Sequence, residues 1–187
     1  MKKISFFVFY RVMKWKMIGD FDGDRIKKCI VIVVPHTSWH DFYIGLLVRQ
    51  IAGVRISFLG KKELFKWPFG WYFRKVGGIS LDRTSGQNKV EAIAKEFEKR
   101  DELRLTLAPE GTRKKVTVWK TGFYYIAKMA NIPIKMVAFD FGKKQVVISS
   151  AFYPTHDFNK DVQFMHTFFK GVKGKIPNKS FEPEMHI

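Results

Sequence analysis

The stretch that decides the fold is Cys29-Ile-Val-Ile-Val-Val34, an unbroken apolar run in which most residues are β-branched. A strand with one face in water alternates apolar and polar residues, whereas a strand covered on both faces is apolar throughout. The run therefore predicts a central strand with helices packed on both sides of its sheet. It ends at Pro35-His36, and the residues that follow, 39–51, have the spacing of a helix.

Segments with strand and helix patterns alternate outward from this strand. Further strands are predicted at residues 54–59, 78–81, 103–107 and 134–139, and an antiparallel neighbour at 145–149. Helices are predicted at 61–76, 87–100, 121–131 and 157–172. This alternation is typical of an α/β fold, and we predict a single layered domain with a mostly parallel central sheet flanked by helices. The domain would comprise residues 1–187, with an N-terminal segment at 1–24 and a core at 29–150.

The charge of the chain is strongly unbalanced, with 34 Lys and Arg residues against 17 Asp and Glu residues and a net charge of +17. Such a surface attracts polyanions, and nucleic acid, an anionic bilayer and phosphate-bearing substrates all qualify. A hydrophobic content of 46% excludes a disordered chain. Cys29 is the only cysteine, so the chain has no internal disulfide, which fits a reducing compartment.

The N-terminal segment begins like a signal peptide, with basic residues before an apolar stretch. Arg11, Lys14 and Lys16 interrupt that stretch and no small-residue cleavage site follows, so no cleaved signal peptide is expected. A helix through the segment would carry large apolar side chains on one face: Phe6, Phe9, Tyr10, Met13 and Met17. It either lies in a lipid headgroup layer or packs on the domain as an ordinary amphipathic helix. No apolar run approaches the roughly 20 residues that a membrane-spanning helix needs.

A histidine and an aspartate follow the central strand in the pattern His36-Thr-Ser-Trp-His-Asp41. His36 lies on a strand-to-helix turn, and Asp41, in the first helical turn, can reach back to the imidazole. Such a pair can act as a general base, in which the aspartate orients the imidazole and the imidazole accepts a hydroxyl proton. Alternatively, Ser38-x-x-Asp41 fits a capping box, and Asp41 then only caps the helix. The spacing alone leaves both interpretations open.

Two later turns carry groups that suit an anion. Arg83 ends the strand-like run Gly78-Ile-Ser-Leu-Asp-Arg83, and its guanidinium can bind a phosphate or form an ordinary surface ion pair. Pro109-Glu-Gly-Thr-Arg113 follows a predicted strand and brings a hydroxyl, backbone amides and a guanidinium into one turn. The alternative for this second segment is a tight turn with incidental charge.

Taken in order, these segments resemble the motifs of the glycerolipid acyltransferase superfamily, whose best-known members are the lysophosphatidate acyltransferases. The first family motif, a histidine and an aspartate separated by four residues, matches His36 and Asp41. The second, an apolar strand that ends in arginine, matches Arg83, and the third, Pro-Glu-Gly-Thr-Arg, matches 109–113. The fourth, an apolar strand with a leading proline, matches the sequence from Ile132-Pro133 onward. The resemblance covers about residues 30 to 140.

The resemblance implies a function and a role for each motif. The enzyme would move an acyl group from acyl-CoA or acyl carrier protein directly to the hydroxyl of a lysophospholipid such as 1-acylglycerol 3-phosphate, giving phosphatidate. His36 would be the general base and Asp41 its partner. The acceptor's phosphate would be held, and the site shaped, by Arg83, Glu110, Gly111, Thr112 and Arg113. No cofactor is implied, and another lysolipid or an acylated amino acid stays open as the acceptor.

An aromatic segment provides a second link to lipids. Residues 64–73 are rich in aromatic rings and have basic residues on either side, and five of the rings are candidates for lipid contact: Trp67, Phe69, Trp71, Tyr72 and Phe73. These rings can enter the membrane interface or line the acyl-chain groove, while the basic residues contact lipid phosphates. The alternative is an aromatic-rich core helix. We expect a peripheral or monotopic enzyme on the cytoplasmic face of a membrane, with the anionic membrane surface as a partner.

Two other classes of protein are alternatives. A nucleic-acid-binding domain would explain the net charge of +17, but the basic residues are scattered and no recognised nucleic-acid motif occurs, so no nucleic-acid partner is expected. A metal hydrolase would use His36, His40 and Asp41, but His36 precedes the helix and no metal is expected. No Gly-x-Ser-x-Gly elbow occurs, and Cys29 lies in a strand predicted to be buried, so no covalent nucleophile is evident.

Overall fold

The central sheet is the feature that positions every candidate residue. A computed structural model of the chain describes residues 2–60, 62–80 and 89–182. Within those ranges seven strands form one sheet, in the spatial order β1-β7-β6-β2-β5-β3-β4. Their bounds are Lys16–Ile18 (β1), Lys28–Val34 (β2), Ser57–Gly60 (β3), Gly78–Ser80 (β4), Leu103–Leu107 (β5), Ile134–Asp140 (β6) and Gln145–Ile148 (β7).

Helices flank this sheet. The α-helices are Lys2–Phe6 (α1), His40–Ala52 (α2), Gly70–Lys75 (α3), Lys89–Glu98 (α4), Gly122–Met129 (α5) and Phe158–Phe169 (α6). Shorter helical turns are the π-helical Phe7–Val12 and the 3-10 segments Lys62–Phe65 and Pro177–Lys179. None of the helices in the described ranges combines the length and the apolar character that crossing a bilayer requires.

The strand β2 lies at the centre of the sheet and runs parallel to both of its neighbours. Ile32 pairs with Leu107 of β5, and Val34 pairs with Ala138 of β6. The pairing of β7 with β6 is antiparallel, while the other pairings within the sheet are parallel. The predicted α/β fold with a mostly parallel sheet is therefore confirmed. Because β2 and β5 are parallel neighbours, the turns that follow them meet at the same edge of the sheet.

Alternate residues of β2 enter two separate cores, which confirms the prediction from its apolar run. Ile30, Ile32 and Val34 pack in the core beneath α4, α5 and α6. Cys29 and Val31 pack on the other face, with α2 and the N-terminal segment. A strand covered by helices on both faces has no solvent-facing position that would favour a polar residue.

The N-terminal segment is not the single helix that the spacing predicted. The helix α1 passes into the π-helical turn at Phe7, and Lys14 adopts a positive φ of 56° that turns the chain. Met17, predicted on the helix face, lies instead in β1, where it pairs with Val146 of β7. Of the predicted apolar face, Phe9 is fully buried, whereas Phe6 is exposed.

The predicted helix at 61–76 is also wrong as a continuous element. A 3-10 turn ends at Phe65, a cis peptide bond joins Trp67 to Pro68, and α3 begins only at Gly70. Proline lacks an N–H donor and restricts the residue before it, so it interrupts a helix at this point. The C-terminal helix, predicted to reach residue 172, ends at Phe169.

Candidate active site

The histidine and aspartate predicted as a pair lie in direct contact. His36 follows β2, and its Nδ1 lies 3.0 Å from Oδ2 of Asp41 in the first turn of α2. The same Oδ2 accepts a hydrogen bond of 3.0 Å from the backbone N–H of Ser38. The Asp41 carboxylate therefore both caps the start of α2 and contacts the imidazole of His36. The capping and the pairing that the sequence left as alternatives occur together. Because an ionised carboxylate only accepts, Nδ1 carries the proton and Nε2 keeps a free lone pair.

Glu110 holds the backbone of His36 from the neighbouring turn. Its Oε2 accepts a 2.6 Å hydrogen bond from the His36 N–H, and only 3% of the residue is exposed. Its other oxygen, Oε1, is buried and has no hydrogen-bond partner within the described residues. Burial raises the pKa of Glu110 to about 7, and the Asp41 charge adds to that rise, while the His36 N–H and imidazole oppose it. The carboxyl of Glu110 thus contacts the backbone of His36, a placement that the phosphate-binding prediction for Glu110 did not include.

The rest of the Pro-Glu-Gly-Thr-Arg turn faces outward. Gly111 has φ +65°, and a Cβ there would lie 2.7 Å from Cε of Lys120, so the backbone geometry favours glycine. Thr112 is half-buried and Arg113 is exposed. Both residues follow Glu110, which accepts the hydrogen bond from the His36 N–H, in the same turn. Arg83, the other arginine of the phosphate-binding prediction, lies outside the described residues.

The aromatic segment is largely solvent-exposed, unlike a core helix. Four rings predicted to contact lipid have high exposed fractions: Trp67 93%, Phe69 68%, Trp71 64% and Tyr72 39%. Phe73 is half-buried, with its ring centroid 6.5 Å from that of the buried Phe65. The cations Lys66, Arg74 and Lys75 are exposed beside these rings. The segment is therefore anchored through Phe65 and presents most of its aromatic surface outward.

The arrangement supports acid–base chemistry rather than a cysteine nucleophile. Cys29 is fully buried in β2, and burial raises the pKa of its thiol to about 12, so the thiol stays protonated. His40, the second histidine of the motif, has its Nδ1 2.9 Å from Oγ of Ser38. Among the residues that the structure describes, no three His, Cys, Asp or Glu side chains are grouped as metal ligands.

The sequence did not reveal that a C-terminal segment supports the motif. The Ile176 N–H donates a 3.2 Å hydrogen bond to Oγ1 of Thr37, the residue next to His36. Gly174 packs so closely against Thr37 that an added Cβ would lie 2.6 Å from its side chain. Because 139 residues separate Ile176 from Thr37, local patterns carry no signal for this contact.

Comparison with known proteins agrees with this geometry. A family model described as Acyltransferase matches residues 20–140, which include the His36–Asp41 pair and the Glu110 turn. This chain belongs to the acyltransferase family. Its fold is shared with the 1-acyl-sn-glycerophosphate (LPA) acyltransferase of Thermotoga maritima, whose crystal structure superposes with a TM-score of 0.62 at 17% identity, over 89% of this acyltransferase and 74% of that chain.

Two curated relatives are similar in sequence, and each is named 1-acyl-sn-glycerol-3-phosphate acyltransferase. The protein from Saccharomyces cerevisiae is 29% identical over 140 residues, which cover 67% of this acyltransferase and 45% of the relative. The protein from Streptococcus pneumoniae is 31% identical over 111 residues, which cover 58% of this acyltransferase and 40% of the relative. The matched region therefore spans less than half the length of either relative.

Proposed function

We propose that this acyltransferase transfers a fatty acyl group from a thioester donor to the hydroxyl of a lysophospholipid such as 1-acylglycerol 3-phosphate, giving phosphatidate for phospholipid synthesis. The donor is acyl-CoA or acyl carrier protein. The single observation that carries the proposal is the 3.0 Å contact between His36 Nδ1 and Asp41 Oδ2, beside the turn that bears Glu110. The names of the two curated relatives point to the same acceptor.

In the proposed reaction His36 acts as a general base. Its Nε2 removes the proton from the acceptor hydroxyl, and the oxygen forms a bond to the carbonyl carbon of the thioester. The imidazolium that results is stabilised by the Asp41 carboxylate at Nδ1. When the tetrahedral intermediate collapses, the carbon–sulfur bond breaks and the imidazolium returns the proton to the departing thiolate. Proton transfer of this kind contributes roughly 10²–10⁴-fold to the rate.

Glu110 acts as a positioning residue in this proposal. Its Oε2 fixes the His36 backbone through the 2.6 Å hydrogen bond, so the imidazole keeps its direction relative to the end of β2. The Glu110 carboxyl is not assigned to the acceptor's phosphate, because it is buried and its Oε2 already accepts the hydrogen bond from the His36 N–H. That phosphate is assigned to the outward side of the turn, where Gly111, Thr112 and Arg113 provide backbone, hydroxyl and guanidinium groups. Arg83 keeps its proposed role as a further phosphate ligand.

The aromatic segment is assigned to the membrane. Exposed indole rings next to lysine and arginine side chains are typical of proteins that bind the headgroup region of an anionic leaflet. The helix α1 adds exposed apolar side chains at Ile4 and Phe6, with Lys2 and Lys3 nearby. We place the acyltransferase at the cytoplasmic face of a membrane, in a peripheral or monotopic arrangement.

Sedimentation with liposomes tests the membrane assignment. Trp67→Ala/Trp71→Ala should reduce the fraction of protein that sediments with phosphatidylserine-containing vesicles. The matched control is Tyr125→Ala/Tyr153→Ala, which removes two exposed rings elsewhere on the surface. Equal sedimentation of the two double variants would contradict the assignment.

Product analysis tests the reaction itself. Purified protein in detergent is incubated with lysophosphatidate and either a long-chain acyl-CoA or acyl carrier protein loaded with the same chain. Formation of phosphatidate with either donor is the expected result. If a panel of lysophospholipids and acylated amino acids yields acylated product only from another acceptor, phosphatidate synthesis is excluded as the function. If no acceptor is acylated with either donor, the proposed reaction is wrong.

A further inference from the structure

A cleft of about 420 Å³ opens on the same side of the sheet as α2, and no group of either substrate has been assigned to it. Its floor is apolar and includes Trp15, Ile44 and Phe141. Its rim carries three lysines: Lys144, Lys173 and Lys175. Ligand clefts commonly combine an apolar lining with a few polar groups that fix the orientation of the ligand. This one has the size and the chemistry to hold an apolar arm that ends in anionic groups.

The cleft is adjacent to the general base. His40, which lies one residue before Asp41, forms part of its wall. The segment that carries Lys173 and Lys175 contacts the turn that bears His36. Gly174 packs on Thr37, and the Ile176 N–H donates a hydrogen bond to the Thr37 hydroxyl. A ligand in the cleft would therefore lie close to the turn that bears His36.

The lysines leave positive charge at the rim. Lys173 is paired with Glu182 at 3.1 Å, so its charge is partly neutralised. Nζ of Lys175 lies 6.0 Å from the centroid of the Phe141 ring, a contact that holds the ammonium over the apolar floor. Within the described residues Lys144 and Lys175 have no carboxylate partner, and no acidic residue lines the cleft. Such a rim favours an anionic ligand.

The order of the strands separates this cleft from the turn assigned to the acceptor's phosphate. The strand β2, with His36 at its end, lies between β5 and β6. The acceptor turn follows β5, whereas Phe141 and Lys144 of the cleft follow β6. His36 thus lies between two regions that favour anions, an arrangement compatible with direct transfer between two bound phosphorylated substrates.

We propose that this cleft binds the phosphorylated pantetheine arm of the acyl donor, with the arm on the apolar floor and its phosphate against Lys144 and Lys175. The proposal rests on the proposed function, because that function requires a thioester donor. The same phosphopantetheine group is present in acyl-CoA and in acyl carrier protein, so the site accommodates the chemistry that the two donors share.

Equilibrium binding by titration calorimetry tests the proposal without turnover. The probes are coenzyme A, 4′-phosphopantetheine and pantetheine, which lacks the phosphate. In Lys144→Gln/Lys175→Gln the Kd for coenzyme A and 4′-phosphopantetheine should rise about tenfold, while the Kd for pantetheine stays unchanged, because only charge–phosphate contacts are lost. Lys144→Arg/Lys175→Arg should keep the wild-type affinities, since the positive charges remain.

A matched control removes two exposed lysines from the opposite face of the sheet. Lys95 and Lys128 lie on α4 and α5, so Lys95→Gln/Lys128→Gln lowers the net charge equally without touching the cleft. If this control raises the Kd for 4′-phosphopantetheine as much as the cleft variant does, binding reflects net charge and the proposal is wrong. Equal affinities of wild type and the cleft variant for both phosphorylated probes would also overturn it.

Steady-state kinetics identify which donor uses the cleft. In the cleft variant the KM for acyl-CoA, for acyl carrier protein or for both should rise about tenfold, and the KM for the acceptor should not change. A rise in the acceptor KM alone would overturn the proposal. The proposed reaction and the assignment of the cleft can fail separately. Phosphate-dependent binding without any acylation would refute the proposed reaction. Acylation with an unchanged donor KM in the cleft variant would refute only the assignment of the cleft.

Discussion

Glu110 offers a prediction whose magnitude follows from its surroundings. Only 3% of the residue is exposed, and one oxygen of its carboxyl is buried without a partner within the described residues, so burial raises the pKa of Glu110 to about 7. Glu110→Gln replaces this group with a neutral amide of similar shape. The amide oxygen can still accept the His36 N–H, so the variant removes the ionisable proton while keeping the hydrogen bond.

The sign of the effect follows from the direction of the pKa change. The native state holds the Glu110 proton more tightly than the unfolded chain does, whose carboxyl titrates near 4.5. Its contribution to stability is therefore fully present below pH 4.5 and is lost as the pH rises through 7. The difference between 4.5 and about 7 corresponds to roughly 3 kcal/mol. The free energy of unfolding of Glu110→Gln, relative to wild type, should increase by about that amount over this interval.

Urea denaturation at several pH values between 4.5 and 8 measures this difference directly. The control is Glu98→Gln, which makes the same chemical change at an exposed glutamate at the end of α4 and measures its effect away from the site. If the Glu110→Gln curve runs parallel to wild type across the whole interval, Glu110 does not titrate near neutrality in the folded state. Burial of Glu110 would then not control its protonation.

Three further predictions follow from the same structure. Asp41→Asn keeps an acceptor for the Ser38 N–H but removes the charge at His36 Nδ1, so kcat should fall roughly hundredfold with little change in acceptor KM; a change within threefold would contradict the pair's role. Gly111→Ala forces a side chain into φ +65° and should cost about 1 kcal/mol of unfolding free energy, whereas Gly122→Ala, at the start of α5 with open space around it, should cost nothing by the same denaturation assay. Cys29 should react with a thiol reagent only after unfolding, and rapid labelling of the native protein would show that its strand is not buried as described.

The central part of the fold could be predicted because its elements have strong local patterns. The run at 29–34 is apolar on both faces, and it forms β2 with helices on each side. Weak patterns failed at the edges. The strand β1 has only three residues, one of them half-buried, so its alternation was too short to detect. The aromatic segment had helical spacing, but Pro68 removes a donor in its middle and divides it.

In the site, too, the local contacts could be predicted from the sequence, whereas the long-range contacts could not. The pairing of His36 with Asp41 could be predicted because five positions separate them and a helical turn closes that distance. The hydrogen bond from His36 to Glu110 spans 74 residues, and it depends on β2 and β5 being neighbours. The apolar runs of β2 and β5 could have suggested that the two strands are neighbours. The turns that follow them would then have been expected to meet. The cleft beside His40 depends on residues 173–177, for which the sequence carries no motif.

The most direct test of the account is the rate of phosphatidate formation by His36→Ala. The control is His156→Ala, which removes an exposed histidine outside the site. With lysophosphatidate and the donor that the wild type uses, His36→Ala should lower kcat roughly hundredfold or more, while His156→Ala and the circular dichroism spectra of both variants should match wild type. Product formation at the wild-type rate by His36→Ala would contradict the assignment of the general base and, with it, the proposed mechanism.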